Sequence, residues 1–149
     1  MIRKADIGDI KDIQELINFY AKKDQMLPRS LNELYENVRD FFVYEKDGKI
    51  IGCVALHVAW DDLAEIKSLA VLETRQKQKI GTSLVKAVFE DAKKLKVRRI
   101  FALTYVPSFF ERCGFKKVKH KNLPHKIWSE CIRCVKFPDC EETALVIDI

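Results

Sequence analysis

The sequence predicts an α+β (mixed α/β) fold with a central, mostly antiparallel, twisted sheet of six to seven strands and about four flanking helices. Three observations predict this class. The chain has 149 residues, which is the size of one domain with a sizeable core, so we expect residues 1–149 to form a single domain. Apolar residues recur at helical spacing in several segments. Between them, Asp47-Gly48 separates two strand-like runs and is a strong two-residue turn signal.

The first quarter of the chain predicts one short strand and two helices. Ile2–Ala5 has the composition of a strand, and Ile7–Lys22 places apolar residues on one helical face, beginning with Ile7 itself. After a break, Ser30 and Glu33 have capping-box spacing. The second helix then carries an apolar stripe formed by Leu31, Leu34, Tyr35 and Val38.

The middle of the chain predicts an antiparallel meander. Phe41–Lys46 and Lys49–Val58 flank the Asp47-Gly48 turn, and Asp61-Asp62 turns the chain again before a third strand over Ala64–Val71. Consecutive strands joined by such short turns pair with each other.

The second half begins with the clearest helix of the chain, which starts at Gly81. Its apolar stripe is Leu84, Val85, Val88, Phe89, Ala92 and Leu95. The other elements follow in order: a strand over Arg98–Tyr105, a short helix over Pro107–Cys113 that ends at Gly114, and strands over Phe115–Val118 and Thr143–Ile149.

Composition and charge argue against a membrane protein and against a nucleic-acid-binding protein. The longest mostly apolar stretch, Ile50–Trp60, is too short for a bilayer, and the first residues lack the apolar core of a signal peptide, so we expect a cytoplasmic protein without membrane contact. The formal charge of +5 suits an anionic partner or simply solubility. The lysines form no stripe with interleaved aromatic residues, so nucleic acid is not an expected partner.

A strand, a basic loop and a helix follow one another over Ser68–Val85. A helix N-terminus exposes amide donors and carries partial positive charge, so it binds anions, phosphates above all. Here the main chain of Gln76–Thr82 would wrap an anion, with Lys77 and Lys79 adding charge at the mouth. The alternative is a plain surface connection with solvated lysines.

This segment resembles the acetyl-coenzyme A site of the GNAT acetyltransferase superfamily, whose loop is usually written Gln/Arg-x-x-Gly-x-Gly/Ala. Gln76 holds the first position and Gly81 the last, while Lys79 replaces the middle glycine. A left-handed lysine costs about 1–2 kcal/mol, which the loop can bear. The resemblance implies acetyl-coenzyme A as cosubstrate, bound by Gln76, Lys77, Gln78, Lys79, Ile80, Gly81 and Thr82.

Tyr105–Phe115 is similar to the later helix of the same family, which typically ends in Tyr-x-x-x-Gly-Phe. Phe110 stands where that tyrosine, thought to protonate the departing thiolate, is expected. Phe110 is therefore predicted beside the cofactor without a proton to give, with Tyr105 as a spare donor. The alternative places Phe109 and Phe110 in the core as an aromatic pair.

The resemblance also implies that the strand before the loop splays from its neighbour. The backbone of Leu69, Ala70 and Val71 would then meet the cofactor, and the amide of Leu69 or Ala70 would bind the oxyanion that develops as the amine attacks the thioester. Transfer would be direct, without a covalent enzyme intermediate.

Two further residues are candidates for handling protons. Glu65 lies where relatives often carry a base or a water-holding carboxylate; a structural pair with Lys67 or Arg99 is equally consistent with the sequence. Thr104 would order a water or the substrate amine, or else cap the short helix that follows it.

Gln25–Leu56 and Ile100–Phe115 resemble the acetyltransferase domain of bacterial N-acetylglutamate synthases, of the short stand-alone type. The most characteristic positions are Leu27, Arg29, Ser30, Glu33 and Leu34. In those enzymes an arginine here faces the acceptor, so Arg29 is the first substrate residue and Lys67 the second. An exposed helix-entry residue is the other interpretation of Arg29.

The resemblance implies acetylation of the α-amine of a small acidic amino acid, most plainly L-glutamate, in arginine biosynthesis. Such an acceptor predicts a net positive cleft. Two alternatives stay open: a GNAT enzyme for another amine (a protein N-terminus, lysine or polyamine) and a non-catalytic acyl-coenzyme A sensor. Whether the chain forms a homodimer also stays open.

A cysteine-containing tail segment over residues 121–141 completes the chain. Cys131, Cys134 and Cys140 have C-x2-C-x5-C spacing, one ligand short of an ordinary structural zinc site. We expect unligated thiols and no metal. Two alternatives are a metal site, which His125, His120 or Cys113 would complete only by folding close, and a redox-labile Cys131–Cys134 disulfide. His125 and Trp128 are further candidates for the acceptor pocket, and Cys53 is expected in the core.

Overall fold

The computed structural model describes residues 1–76, 78–119 and 142–149. In these ranges the chain forms seven strands, four α-helices and three single-turn 3-10 helices. The strands are β1 (Ile2–Lys4), β2 (Phe41–Lys46), β3 (Lys49–Trp60), β4 (Leu63–Val71), β5 (Arg99–Thr104), β6 (Lys116–Val118) and β7 (Thr143–Asp148). The helices are α1 (Ile10–Ala21), α2 (Leu31–Glu36), α3 (Ile80–Lys94) and α4 (Pro107–Arg112), and the 3-10 helices are Ile7–Asp9, Val38–Asp40 and Glu73–Arg75.

The strands form one sheet in the order β1-β2-β3-β4-β5-β7-β6. Every neighbouring pair is antiparallel except β4 and β5, which are parallel and joined through α3. The predicted mixed, mostly antiparallel sheet with four helices is confirmed. The last strand, β7, lies between β5 and β6 rather than at the sheet edge.

The predicted meander is β2-β3-β4. Asp47 and Gly48 both adopt positive φ, 53° and 76°, which are the angles of a type I′ turn and match the twist of the strands they join. β3 and β4 extend to the Asp61-Asp62 turn, so the strands reach Trp60 and Leu63, beyond the predicted Val58 and Ala64.

Three residues of the predicted helical stripes are exposed, and one of them is Tyr35 of α2, at 39%. Ile7 is 68% exposed because the chain first makes a separate 3-10 turn, held by reciprocal hydrogen bonds between Asp6 and Asp9. Leu95 is 53% exposed because α3 ends one residue before it. Within the described ranges, no helix combines the length and hydropathy that a bilayer crossing requires.

Helices cover both faces of the sheet. α1 and α2 pack on one face, with Ile13, Ile17 and Leu34 against strand residues such as Val43 and Ala55. α3 and α4 pack on the other face, with Leu84 and Phe110 in the cluster that also contains the residues Val54, Ile66 and Ile100. Burial of apolar surface contributes roughly 25 cal/mol per Å², so these two clusters hold the layers together.

The sheet opens between its two parallel strands. β4 pairs with β5 only at Leu63–Arg99, Ala64–Ile100 and Glu65–Phe101, whereas β5 stays paired with β7 as far as Thr104. Beyond Glu65, β4 therefore leaves β5, and a gap opens towards the carboxyl ends of both strands. This is the splay predicted for the strand before the basic loop.

Candidate active site

A β-bulge interrupts β4 where it borders the gap. The register of β3 with β4 shifts between the Cys53–Ala70 and Ala55–Lys67 pairs, so two residues of β4, Ser68 and Leu69, lie opposite Val54 alone. Ser68 has a φ of 56°, a left-handed conformation that costs a non-glycine residue about 1–2 kcal/mol. Bulges re-aim backbone groups beside active sites, and strain of this kind concentrates there.

Cys53 packs behind the bulge and is fully buried, as predicted for a core residue. Its thiol donates a weak hydrogen bond to the Ser68 carbonyl at 3.4 Å. Burial raises the pKa of Cys53 to about 12, while a backbone hydrogen bond with Ala70 acts in the opposite direction.

The basic loop delivers a left-handed residue to the start of α3. Lys79 has φ 62° and ψ 19°, the conformation expected where it replaces a glycine. The Ser83 amide donates to the Lys79 carbonyl at 3.0 Å, which is the first bond of the helical ladder. The amides of Ile80, Gly81 and Thr82 precede that bond and belong to the donors that a helix start leaves for other partners.

Tyr20 ties the loop to α1. Its hydroxyl donates to the Val71 carbonyl and accepts a hydrogen bond from the Gln76 side-chain amide. A few residues on, Lys23 pairs with Glu73 at 2.8 Å. The Tyr20–Gln76 contact was not predicted from the sequence because nothing local marks an interaction across 56 residues.

Gln78 and Lys79 are exposed at the mouth of the basic loop, and Lys77 lies outside the described residues.

The rings of α4 pack against the start of α3. A Cβ added to Gly81 would lie 3.3 Å from the Phe109 ring, so glycine lets the helix start and this ring approach closely. Phe110 is 6% exposed and packs edge-on against Phe109 and Phe115. Phe109 is therefore the ring beside the loop. Phe110 packs in the core, so the alternative interpretation of the aromatic pair describes Phe110.

A pocket opens on the sheet face covered by α1 and α2, next to the bulge. It has about 250 Å³ of free space, including the part open to solvent. It is lined by Arg29, Glu33, Leu34, Asn37, Asp40, Phe41, Ala55, Lys67 and Ser68. The structure thus brings together the two predicted substrate residues, Arg29 and Lys67, beside the strained residue of β4.

Arg29 is held at the pocket by its neighbours. Its guanidinium pairs with Glu33 at 3.0 Å, and the Gln14 side chain on α1 donates to the Arg29 carbonyl at 3.2 Å. The Ser30 hydroxyl accepts a hydrogen bond from the Glu33 amide at 3.1 Å and caps α2. The carboxylate of Glu33 is paired with Arg29. Of the two hydrogen bonds in the predicted capping box, the one from the Glu33 amide to the Ser30 hydroxyl therefore forms.

The charges that line the pocket balance. Arg29 and Lys67 supply two cations, while Glu33 and Asp40 supply two carboxylates. The expected net positive cleft is not found in these lining residues. Both carboxylates are, however, paired: Glu33 with Arg29, and Asp40 with His57 at 2.7 Å.

Glu65 and Thr104 border the gap from its two sides. Glu65 is buried on β4, opposite His57 of β3 and Phe101 of β5. Thr104 is buried at the end of β5, where its hydroxyl accepts a hydrogen bond from the Val106 amide at 3.0 Å. Val106 immediately precedes α4, so the capping interpretation of Thr104 accounts for this contact.

Several candidates from the sequence lie outside the described residues: His120, His125, Trp128, Cys131, Cys134 and Cys140. In the ranges that the structure covers, Cys53 and Cys113 are free thiols, and no group of three metal-ligating side chains comes together.

Comparison with known proteins gives the context for this geometry. A family model described as the acetyltransferase (GNAT) family matches residues 7–115. An uncharacterized N-acetyltransferase of Chlorobaculum tepidum is 38% identical over 97% of this chain and 94% of its own length. An amino-acid acetyltransferase of Mycobacterium tuberculosis is 35% identical over 89% of this chain and 78% of its own length.

Two solved structures are also similar. Rv2747 of Mycobacterium tuberculosis, in complex with CoA and NLQ, aligns over 100% of this chain and 99% of its own, with a TM-score of 0.88 and 30% identity. N-acetylglutamate synthase of Neisseria gonorrhoeae, complexed with coenzyme A and N-acetyl-glutamate, aligns over 99% of this chain and 34% of its own, with a TM-score of 0.91 and 29% identity.

Proposed function

The chain belongs to the acetyltransferase (GNAT) family, and from that premise we propose that it acetylates the α-amine of a small acidic amino acid, L-glutamate, in the cytoplasmic synthesis of arginine. Acetyl-coenzyme A is the cosubstrate, as the coenzyme A held by the solved relatives indicates. The observation that carries the choice of acceptor is the placement of Arg29 and Lys67 on one pocket beside the β4 bulge.

The cosubstrate fits the loop by its donors. We assign the diphosphate to the amides of Ile80, Gly81 and Thr82, with the left-handed Lys79 turning the chain towards the helix start. Lys77, Gln78 and Lys79 would add positive charge around them. Gln76 acts here through Tyr20, which fixes the loop to Val71 at the end of β4.

Bound acetyl-coenzyme A supplies the acetyl group as an activated thioester. We propose that the Leu69 amide stabilises the charge that develops on the acetyl oxygen, since Leu69 is one of the two residues of the β4 bulge, whereas Ala70 is paired with Cys53 of β3. Phe109 rather than Phe110 would border the cosubstrate, because its ring meets Gly81.

A dicarboxylate acceptor suits the two cations of the pocket. Arginine can hold one carboxylate through two parallel hydrogen bonds, and Lys67 offers a single compact charge to the other. To bind, the substrate displaces Glu33 from Arg29. The guanidinium then exchanges one carboxylate partner for another, so its charge stays paired. We propose that Glu65, buried on the same face of β4, accepts the amine proton directly or through water.

Two relatives whose names concern the acetylation of amino acids support this acceptor class. The Mycobacterium tuberculosis relative carries that name, and the synthase of Neisseria gonorrhoeae was solved with N-acetyl-glutamate. A GNAT enzyme for another amine remains the second candidate, favoured by the balanced charge of the pocket lining.

The test is the release of coenzyme A thiol by the purified chain, with L-glutamate, L-aspartate, L-glutamine, L-lysine and spermidine compared at equal concentration. We expect L-glutamate to give the highest kcat/KM. A higher value for spermidine or L-lysine would select the second candidate. Tight binding of acetyl-coenzyme A with no acceleration by any amine would instead indicate an acyl-coenzyme A sensor.

A further inference from the structure

We infer that His57, held by Asp40, receives the acceptor's proton from Glu65 and passes it to solvent. This inference rests on the proposed function, in which Glu65 is the first group to take that proton. After each transfer, the buried carboxyl group of Glu65 must return to its ionised form before the next turnover, and His57 provides the route.

The β3–β4 register brings His57 and Glu65 together. The two residues are direct cross-strand partners in a regular stretch of antiparallel pairing, between the shifts at Cys53/Ala55 and Val58/Trp60. Directly opposed side chains of an antiparallel pair project from the same face, with Cβ atoms about 4.5–5.5 Å apart. The imidazole is long enough to close that distance to a carboxylate.

Asp40 fixes the imidazole. Its Oδ2 lies 2.7 Å from His57 Nδ1, within ordinary hydrogen-bond distance. A carboxylate at Nδ1 keeps the proton on that nitrogen, so Nε2 is the atom that gains and loses a proton. The same carboxylate stabilises the imidazolium form while the extra proton is present.

The three groups also form a path from the interior to the surface. Glu65 is 8% exposed, whereas the His57 side chain is 33% exposed. Asp40 lines the acceptor pocket together with Lys67, which follows Glu65 on the same face of β4. On the face of β4 that carries Glu65, Lys67 is the next charged residue along the strand.

The proton transfer balances in three steps. The acceptor ammonium loses one proton to the Glu65 carboxylate and becomes a neutral amine. The Glu65 carboxyl group gives that proton to His57 Nε2, so the carboxylate is restored and an imidazolium forms beside Asp40. The imidazolium then releases the proton to bulk water.

The experiment compares His57→Gln with the wild-type chain in the coenzyme A release assay with L-glutamate. Gln keeps a polar side chain but carries no titratable nitrogen. We expect kcat to fall at least tenfold, with the KM values of both substrates within a factor of two. Val58→Thr, on the adjacent exposed position of β3, is the matched control and should match the wild type.

Chemical rescue separates proton transfer from a structural role. Because the His57 site is partly open to water, added imidazole should restore at least a third of the lost rate to His57→Ala and should not accelerate the wild type or the Val58→Thr control. A series of substituted imidazoles should rescue in proportion to their basicity. Thermal unfolding of each variant checks that the fold is retained.

Two results would overturn the inference: a His57→Gln variant with wild-type kcat, or a folded His57→Ala variant that imidazole does not accelerate. Both differ from failure of the proposed function, which would appear as a wild-type chain inactive on L-glutamate. If the wild type is active and Glu65→Gln is slow while His57→Gln is fast, only the relay is wrong.

Discussion

The Tyr20 hydroxyl on α1 donates a hydrogen bond to the Val71 carbonyl at the end of β4. The same hydroxyl accepts a hydrogen bond from the side-chain amide of Gln76. One oxygen atom therefore links α1 to the end of β4 and to the start of the basic loop. Burial is the main cause that raises the pKa of Tyr20, so the hydroxyl keeps its proton and remains a donor at neutral pH. The loop is therefore held in place by a residue far away in the chain.

Tyr20→Phe should loosen the loop without disturbing the core. A net hydrogen bond is worth about 0.5–1.5 kcal/mol, so we expect the KM for acetyl-coenzyme A to rise about threefold to tenfold. The KM for the acceptor should change less than twofold. Tyr35→Phe, at an exposed position of α2, is the control. Equal rises in both KM values would show that Tyr20 supports the fold in general and not the loop in particular.

Lys79→Gly should make the protein more stable. The left-handed conformation of Lys79 costs a residue with a Cβ about 1–2 kcal/mol. Glycine avoids this cost, but it loses more conformational entropy on folding, which offsets part of the gain. We expect the free energy of unfolding in urea to rise by about 1 kcal/mol. Lys79→Ala removes the same charge but keeps the strain, so it should not gain. The prediction is wrong if alanine stabilises as much as glycine.

Arg29→Ala should weaken binding of the acceptor and leave binding of the cosubstrate unchanged. Charge-assisted hydrogen bonds are worth about 1.5–3 kcal/mol, which corresponds to a rise of about tenfold to a hundredfold in the KM for L-glutamate. The dissociation constant of acetyl-coenzyme A should stay within twofold of the wild type. Lys11→Ala, an exposed cation of α1, serves as the control. Equal loss with every amine would point to a folding defect rather than to carboxylate recognition.

Glu33→Gln should improve binding of an acidic acceptor, because it releases Arg29 from its ion pair at 3.0 Å. Partly exposed pairs are worth about 0.2–1 kcal/mol, so we expect the KM for L-glutamate to fall about twofold to fivefold. Glu36→Gln, on the same helix and hydrogen-bonded to Asn32, is the matched control. A higher KM in Glu33→Gln would indicate that Glu33 itself holds the ammonium group of the substrate.

Stability at low pH should depend on the Arg3–Asp9 pair. Arg3 donates to both carboxylate oxygens of Asp9, at 2.8 and 3.0 Å. Chiefly for that reason the pKa of Asp9 lies below its ordinary value of 3.8. A lowered folded pKa means that the pair stabilises the protein above pH 3.8 and that this contribution disappears as the pH falls through the folded pKa.

Asp9→Asn is the measurement of that contribution. We expect it to lower the free energy of unfolding at pH 7 by about 1–3 kcal/mol, since Arg3 then loses the carboxylate that it binds through two hydrogen bonds and keeps its contacts with Glu45 and Asp6. The difference from the wild type should shrink as the pH is lowered below 3.8. Parallel curves over the whole acidic range would show that Asp9 acts through packing and not through its charge.

The sequence predicted the features of this fold that are written in local patterns. Asp47-Gly48 fixed the hairpin because few other dipeptides tolerate two positive φ angles. Gln76, Gly81 and the apolar stripe of α3 located the basic loop. Ile7 was misplaced because helical spacing alone does not show that Asp6 and Asp9 begin a separate turn.

Features that depend on distant partners could not be predicted in this way. Ser68 has no local reason to be left-handed; the β4 bulge follows from its pairing with β3. Likewise, Arg29 was a candidate from resemblance, but its ion pair with Glu33 and its place opposite Lys67 follow from how α2 packs on the sheet. Nothing in the local sequence marks His57, because its partner, Asp40, is 17 residues away.

A crystal structure of this chain with coenzyme A and N-acetyl-L-glutamate tests the central claim most directly. We expect one carboxylate of the product against the Arg29 guanidinium and the other within about 4 Å of Lys67 Nζ, with the acetyl oxygen at hydrogen-bond distance from the Leu69 amide. A product bound elsewhere, with the pocket beside Ser68 empty and Arg29 still paired to Glu33, would contradict the account.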